Sequence, residues 1–261
     1  MTTLTIAWAA LPFVIGFTIY LLPRLDRWLA IAMTSLSLGY GLQLILSRSP
    51  LTLALLDSFG VTLIADSLSG FFIVTNALVT TAVIIYCWPR RKTAFFYTQA
   101  IILHGSVNAA FIAADLISLY VALEVIGIAA FLLIAYPRSD RAVWVALRYL
   151  FISNTAMLFY LVGAILVYKS NHSFSFAGLS HAPPEAIALI FIGLLTKGGI
   201  FVSGLWLPLT HSEAETPVSA MLSGVVVKAG VFPLLRCALM VDSVAPLIQF
   251  FGIATAVLGV G

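Results

Sequence analysis

Long apolar runs alternate along this chain with short polar connections, and the runs have the length a membrane demands. A helix needs about 20 mostly apolar residues to cross a hydrocarbon core of about 30 Å. Runs meeting that test extend from Leu4 to Leu22, Trp28 to Leu46, Ser67 to Trp88, Ala94 to Ala113, Leu116 to Tyr136, Val143 to Tyr168, Glu185 to Leu207 and Pro217 to Val241, which predicts eight complete spans. A partial ninth begins near Pro246. Backbone groups in lipid must be satisfied within the segment, and the chain lacks the short alternating runs of a barrel. The predicted fold class is therefore all-α, a polytopic transmembrane helix bundle. Between the second and third runs, Ser47 to Asp66 mixes turn and β-favouring residues and predicts a short hairpin outside the membrane.

Composition agrees with the pattern. The 261 residues are 62% hydrophobic and 9% charged, with a mean hydropathy of +1.11, whereas a soluble domain carries about 25% charged residues. The formal charge of +3 comes from basic residues in the connections, so it reports topology and gives no support to nucleic-acid binding. Arg24, Arg27, Arg90, Arg91, Lys92, Arg138 and Arg141 follow the odd-numbered runs, and only Arg48 and Lys169 follow the even-numbered ones. The positive-inside rule then places the former set in the cytoplasm and the N-terminus outside. The N-terminal segment lacks a basic flank and a small-residue cleavage site, which predicts a retained first span. Cys87 and Cys237 have no CxxC partner and no histidine at ligand spacing, so packing is their expected role and no metal is implied.

Three charges sit near the middle of apolar runs: Glu124, Lys197 and Lys228. Each costs about 3 kcal/mol at the bilayer centre, so left unpaired they would cost about 9 kcal/mol, a large share of a marginal fold's stability. A carboxylate facing one lysine removes part of that cost, and water or deprotonation must handle the other lysine. Small residues share helical stripes with these charges: Ala220 and Gly224 with Lys228, and Gly193 with Lys197. The run KGGIFVSG places Gly198, Gly199 and Gly204 beside Lys197, either to break the helix along a polar path or to pack it closely.

Other polar residues have structural readings beside functional ones. His104 either relays a proton or stays neutral, bonded to helix backbone or Asn108. Arg148 either snorkels to the interface or tunes Glu124. Asp66, Asp115 and Thr216 read as N-caps, with Pro217 in a first helical turn, and Glu213 and Glu215 suit the helix dipole there. Ser153, Asn154 and Thr155 read as interhelical hydrogen-bonding residues. There is no nucleotide loop, metal-ligand cluster or nucleophile elbow, so a self-contained enzyme and a bound cofactor are not expected. Proton binding and release is the chemistry these residues offer.

The stretch from Lys197 through LPLTHSEAETPVSAMLSGVVVKAGVFPLLR, with DLISLYVALEVIG around Glu124 and ADSLSGFF at the third run, resembles the antiporter-like membrane subunits. These are shared by Mrp-type cation/proton antiporters and the membrane arm of respiratory complex I, and the resemblance is nearest to the Mrp D subunit. Ser67 stands where that family usually has glycine, and Glu215 and the Leu209-Thr210 pair vary the usual turn. The resemblance implies that Glu124 and Lys197 form a switchable ion pair, with Lys197 on a broken seventh helix, and that Lys228 passes the proton onward. It implies helices one to three over 1–93, a proton-translocating repeat over 94–241 and the start of a ninth helix over 242–261. The second of two inverted repeats would be missing. The implied function is that of a membrane component of a sodium/proton antiporter in a bacterial cytoplasmic membrane, assembled with other subunits and exchanging protons for monovalent cations. A redox-driven proton-pumping subunit and an inactive structural half-module are the alternatives.

Overall fold

The computed structural model describes residues 2–47, 50–56, 60–90, 92–200, 204–240 and 245–258. Arg48 and Arg91 of the loop-charge argument, and 201–203 of the glycine-rich run, lie outside the described residues.

Six long helices come first: α1 (Thr2–Leu21), α2 (Asp26–Leu46), α3 (Ser67–Cys87), α4 (Ala94–Ile112), α5 (Leu116–Ile134) and α6 (Asp140–Asn171). Two shorter helices follow, α7 (Pro184–Lys197) and α8 (Trp206–Glu213). Next come α9 (Thr216–Met221), a π-helical stretch (Leu222–Val226) and α10 (Val227–Met240), and then α11 (Ala245–Leu258). Seven segments among the described residues are long and apolar enough to cross a membrane: α1 to α6 and the rod Thr216–Leu239. The chain is a multi-pass membrane protein. The seventh predicted run is divided between α7 and α8, the broken helix that the resemblance implied, and neither piece is long enough to span alone.

Burial follows the solvent. Large apolar side chains such as Phe17, Trp28, Phe71, Phe151 and Leu158 face outward, as lipid-facing residues do. The centre of the bundle is α4, where Phe96, Tyr97, Ile101, Leu103, Val107 and Phe111 are buried against helices on several sides.

The predicted hairpin is present: β1 (Leu51–Leu56) and β2 (Gly60–Ala65) pair antiparallel, with Leu51 opposite Ala65 and Leu53 opposite Leu63. Two capping aspartates tie it to the bundle. Asp115 Oδ1 accepts from the Ile117 and Ser118 amides at the start of α5, while its Oδ2 accepts from the Thr62 amide of β2 at 2.7 Å. Asp66 caps α3 by accepting from the Ser69 amide at 2.8 Å and also receives a two-pronged pair from Arg236 of α10, at 2.7 and 2.9 Å. Burial alone would raise the Asp66 carboxyl, but the Arg236 guanidinium and the Ser69 amide together outweigh it and hold the carboxyl below its ordinary value.

At the other end of the bundle the acidic turn is held by ion pairs. Lys92 Nζ meets Glu215 Oε2 at 2.5 Å, and Arg141 Nε meets Glu213 Oε1 at 2.6 Å. Thr216 is not the N-cap: the cap position falls on Glu215, and no side chain caps α9. The carboxylates are taken up by basic residues of neighbouring connections.

Candidate functional site

The site is built around the end of α7. The Gly199 amide bonds back to the Thr196 carbonyl at 3.1 Å and the Ile200 amide to the Leu195 carbonyl at 3.0 Å. Gly199 takes a φ of +61°, so the two bonds complete a Schellman ending with glycine at the left-handed position. Lys197 is thereby the last helical residue, and its ammonium is on the chain end where the helix dipole favours positive charge. The break is bridged by Trp206 of α8, whose Nε1 donates to the Thr196 carbonyl at 2.8 Å. Gly230 of α10 packs directly on the backbone of Lys197 and Gly198, a contact that a Cβ would block. The glycines therefore both break the helix and pack it.

Lys197 is buried, 3% exposed, and its Nζ donates to the Leu123 carbonyl of α5 at 2.9 Å. The ammonium reaches that carbonyl because residue 127, one turn on, is glycine: a Cβ there would lie 2.9 Å from Nζ. The same point is 3.5 Å from Ser153 Oγ and 4.0 Å from Asn154 Oδ1 of α6. Glu124, next to the Leu123 whose carbonyl holds the ammonium, is half-buried. Among the described residues no ion pair joins the two within 4.0 Å, and Glu124 Oε1 is buried without a hydrogen-bond partner. Asn154 Oδ1 shares that condition, and Tyr149 Oη and Ser153 Oγ are buried with no partner but each other. The Tyr149 ring packs on Trp206 at 4.9 Å, so the residue that bridges the break also walls the site.

The other expected site residues are elsewhere. Lys228 is exposed on α10, and its Nζ donates to the Ser223 carbonyl at 2.8 Å, five residues back, within the π-helical stretch. Here the Val227 amide bonds the Leu222 carbonyl, the i to i+5 pattern that often marks functional positions in helices. Beside it an open groove of about 470 Å³ is lined by Val79 and Tyr86 of α3 and by Thr216, Ala220, Ser223 and Gly224. Arg148 points outward, 5.8 Å from the Trp144 ring, and does not join Glu124.

His104 lies at the centre of a separate buried network in α2, α3 and α4. Its Nε2 lies 3.1 Å from Asn108 Nδ2 and its Nδ1 3.3 Å from Thr80 Oγ1. Thr80 donates to Asn76, whose amide donates to Asn108 Oδ1 at 2.8 Å. These contacts close into a ring around the imidazole, and Ser37 Oγ joins at Nε2 at 2.9 Å.

Sequence reasoning missed Gly127, Tyr149 and the pairing of Asp66 with Arg236. The spacing of Glu124 and Gly127 by three, and of Tyr149 and Ser153 by four, put each pair on one helix face and was the available signal.

The family described as NADH:quinone oxidoreductase/Mrp antiporter, transmembrane, matches residues 113–260, more than half of the chain. NADH-quinone oxidoreductase subunit N of Desulforudis audaxviator (strain MP104C) is 32% identical over 74% of this chain and 42% of its own length. The D subunit of the Na(+)/H(+) antiporter of Alkalihalophilus pseudofirmus is 25% identical over 76% of this chain and 45% of its own. The chain thus spans about half the length of the curated relatives it matches. Among solved structures, a chain of the archaeal membrane-bound sulfane sulfur reductase superposes with a TM-score of 0.84 at 22% identity, covering 98% of this chain and 57% of that one. A chain of the Mrp complex from Dietzia sp. DQ12-45-1b gives 0.80 at 20% identity, covering 88% and 48%. These likenesses show the fold. With the family match over the broken helix and the charges beside it, the chain belongs to the NADH:quinone oxidoreductase/Mrp antiporter family of membrane subunits.

Proposed function

We propose that this chain is the proton-carrying membrane component of a multisubunit monovalent-cation/proton antiporter of the Mrp kind. Its proton-translocation residues are Lys197 and Lys228, which take up and release the proton, and Glu124, the carboxylate whose pairing biases them; 94–241 is the translocating repeat. The observation that carries this reading is the buried Lys197 ammonium at a helix break, holding one carbonyl beside a carboxylate oxygen that has no partner. An ammonium has three donors, so two remain for a rearrangement toward Glu124. The break supplies a chain end that can move without disrupting a continuous helix. Lys228 is the next station because α10 packs on the break through Gly230 and carries Lys228 two residues earlier. The ion-paired end with Lys92 and Arg141 is cytoplasmic in this reading, with the N-terminus outside and other membrane subunits alongside.

A second reading, a proton pump component powered by quinone chemistry on other chains, is favoured by the 32% identity to NADH-quinone oxidoreductase subunit N. Membrane vesicles carrying the assembled complex separate the two. Glu124→Gln and Lys197→Ala are each expected to abolish sodium-dependent proton exchange while assembly persists, and Lys228→Ala to reduce it severely. Full exchange in the first two variants would remove those residues from the mechanism. Proton uptake that follows NADH oxidation and ignores a sodium gradient would establish the redox-driven reading instead.

A further inference from the structure

Four oxygen atoms on two adjacent helices are buried together: among the described residues Glu124 Oε1 and Asn154 Oδ1 have no hydrogen-bond partner, and Tyr149 Oη and Ser153 Oγ have none but each other. Buried acceptors are rarely left unsatisfied, and two of them beside a pair of buried hydroxyls require a common explanation. Tyr149 and Ser153 are more than nine-tenths buried, at 1% and 4% exposure. Their positions converge. Ser153 Oγ and Asn154 Oδ1 lie within 4.0 Å of the point above Gly127 that is 2.9 Å from Lys197 Nζ; the Tyr149 hydroxyl meets Ser153 one turn along α6, and Glu124 lies one turn before Gly127 on α5.

The chemistry of the set is uniform: one carboxylate, one amide carbonyl and two hydroxyls, all hard oxygen donors with no sulfur or imidazole. Its formal charge is that of one carboxylate. In a low-dielectric interior one such charge balances one monovalent cation, and a second cation beside it would be repelled. The Lys197 ammonium is a monovalent cation of this kind, and it reaches the cluster on a flexible stem.

We propose that Glu124, Tyr149, Ser153 and Asn154 form a monovalent-cation site in which a sodium-sized ion and the Lys197 ammonium take turns. The inference rests on the proton-carrier reading and adds to it the place where the exchanged ion binds. When the ion enters, the ammonium withdraws and its N–H bond gives a proton to water. When the ion leaves, Lys197 takes up a proton and again balances Glu124. Only the N–H bond changes, one positive charge replaces another, and Glu124 remains a carboxylate throughout. Coupling follows from mutual exclusion.

The test uses the assembled complex in lightly buffered proteoliposomes, pulsed with sodium chloride or with choline chloride as control, and reads proton release with a pH dye. Saturable release with sodium and none with choline is expected. Ser153→Ala and Asn154→Leu should each raise the half-saturating sodium concentration by about tenfold, with the unfolding midpoint unchanged, while Thr155→Ala on the exposed side of α6 leaves it as in the wild type. Equal release with both salts, or an unaltered half-saturation in both site variants, overturns the proposal and leaves the cluster holding water. The two readings fail differently. Proton flux driven by an imposed membrane potential that needs Glu124 and Lys197 but ignores sodium defeats the cation site alone. Flux that persists in Glu124→Gln and Lys197→Ala defeats the carrier reading beneath it.

Discussion

Gly127 decides where the Lys197 ammonium sits, and it does so by having no side chain. An alanine there would place a Cβ 2.9 Å from Nζ, and the flexible end of the lysine is what would yield. Gly127→Ala is therefore expected to leave stability unchanged or raise it by up to about 1 kcal/mol, since alanine favours the helix. Proton exchange in vesicles should fall by about tenfold or more, because a displacement of roughly 1 Å at a reacting group is costly. Wild-type exchange with normal stability would show that the ammonium's seat on the Leu123 carbonyl is irrelevant. Glu124 and Lys197 were legible in the sequence because a charge in an apolar run has an insertion cost that needs explaining. Gly127 was not, since the meaning of a glycine depends on what approaches it, and Lys197 is 70 positions away.

Among the elements, a broken helix and a helix with a π-helical stretch carry Lys197 and Lys228. The Schellman ending at Gly199 requires a left-handed backbone, which a Cβ penalises by about 1–2 kcal/mol, and Leu207 occupies the space that Cβ would enter. Gly199→Ala should thus lower stability by at least about 1 kcal/mol, measured by thermal unfolding in detergent, and reduce exchange by shifting the end of α7. Unchanged stability would mean the ending re-forms without a left-handed residue. The sequence showed the glycines but not which role they take, because breaking and packing use the same residue type. The π-helical stretch is a similar case. Strict α periodicity puts Lys228 on a stripe with Ala220 and Gly224, whereas one added residue turns it by about 100°. The structure has Gly224 against Val79 while Lys228 is exposed and reaches back to Ser223.

Across the whole molecule, ion pairs far apart in sequence fasten the two ends of the bundle. Asp66 and Arg236 are 170 residues apart, and their pair joins the cap of α3 to α10. Arg236 also donates to Ser69 Oγ at 2.8 Å, which in turn donates to the Phe111 carbonyl of α4. Asp66→Asn leaves a buried guanidinium short of its counter-charge and should cost about 2–3 kcal/mol, below the figure for fully buried pairs because Asp66 is partly exposed. The pH dependence has a definite sign. The folded carboxyl titrates below its ordinary value of 3.8, so the pair's contribution is complete above that value and is lost as pH falls through the lower folded one. Unfolding midpoints in detergent from pH 6 to pH 3 should fall more steeply for the wild type than for Asp66→Asn. Parallel curves would remove Asp66 from the acid response.

By itself the sequence determined that this is a polytopic helical membrane protein, where most helices begin and end, and which charges in the hydrocarbon demand a purpose. Those properties follow from local hydrophobicity and the cost of burying charge, which are written residue by residue. Only the tertiary structure decided that the break in the seventh helix falls at Gly199, that Lys197 lies over Gly127 beside four buried oxygens, and that Lys228 and Arg148 face outward. It also decided that His104 sits in a closed hydrogen-bonded network and that Arg236 finds Asp66. Each of these depends on which face of a helix meets which neighbour, and apolar runs of similar composition leave that choice to packing.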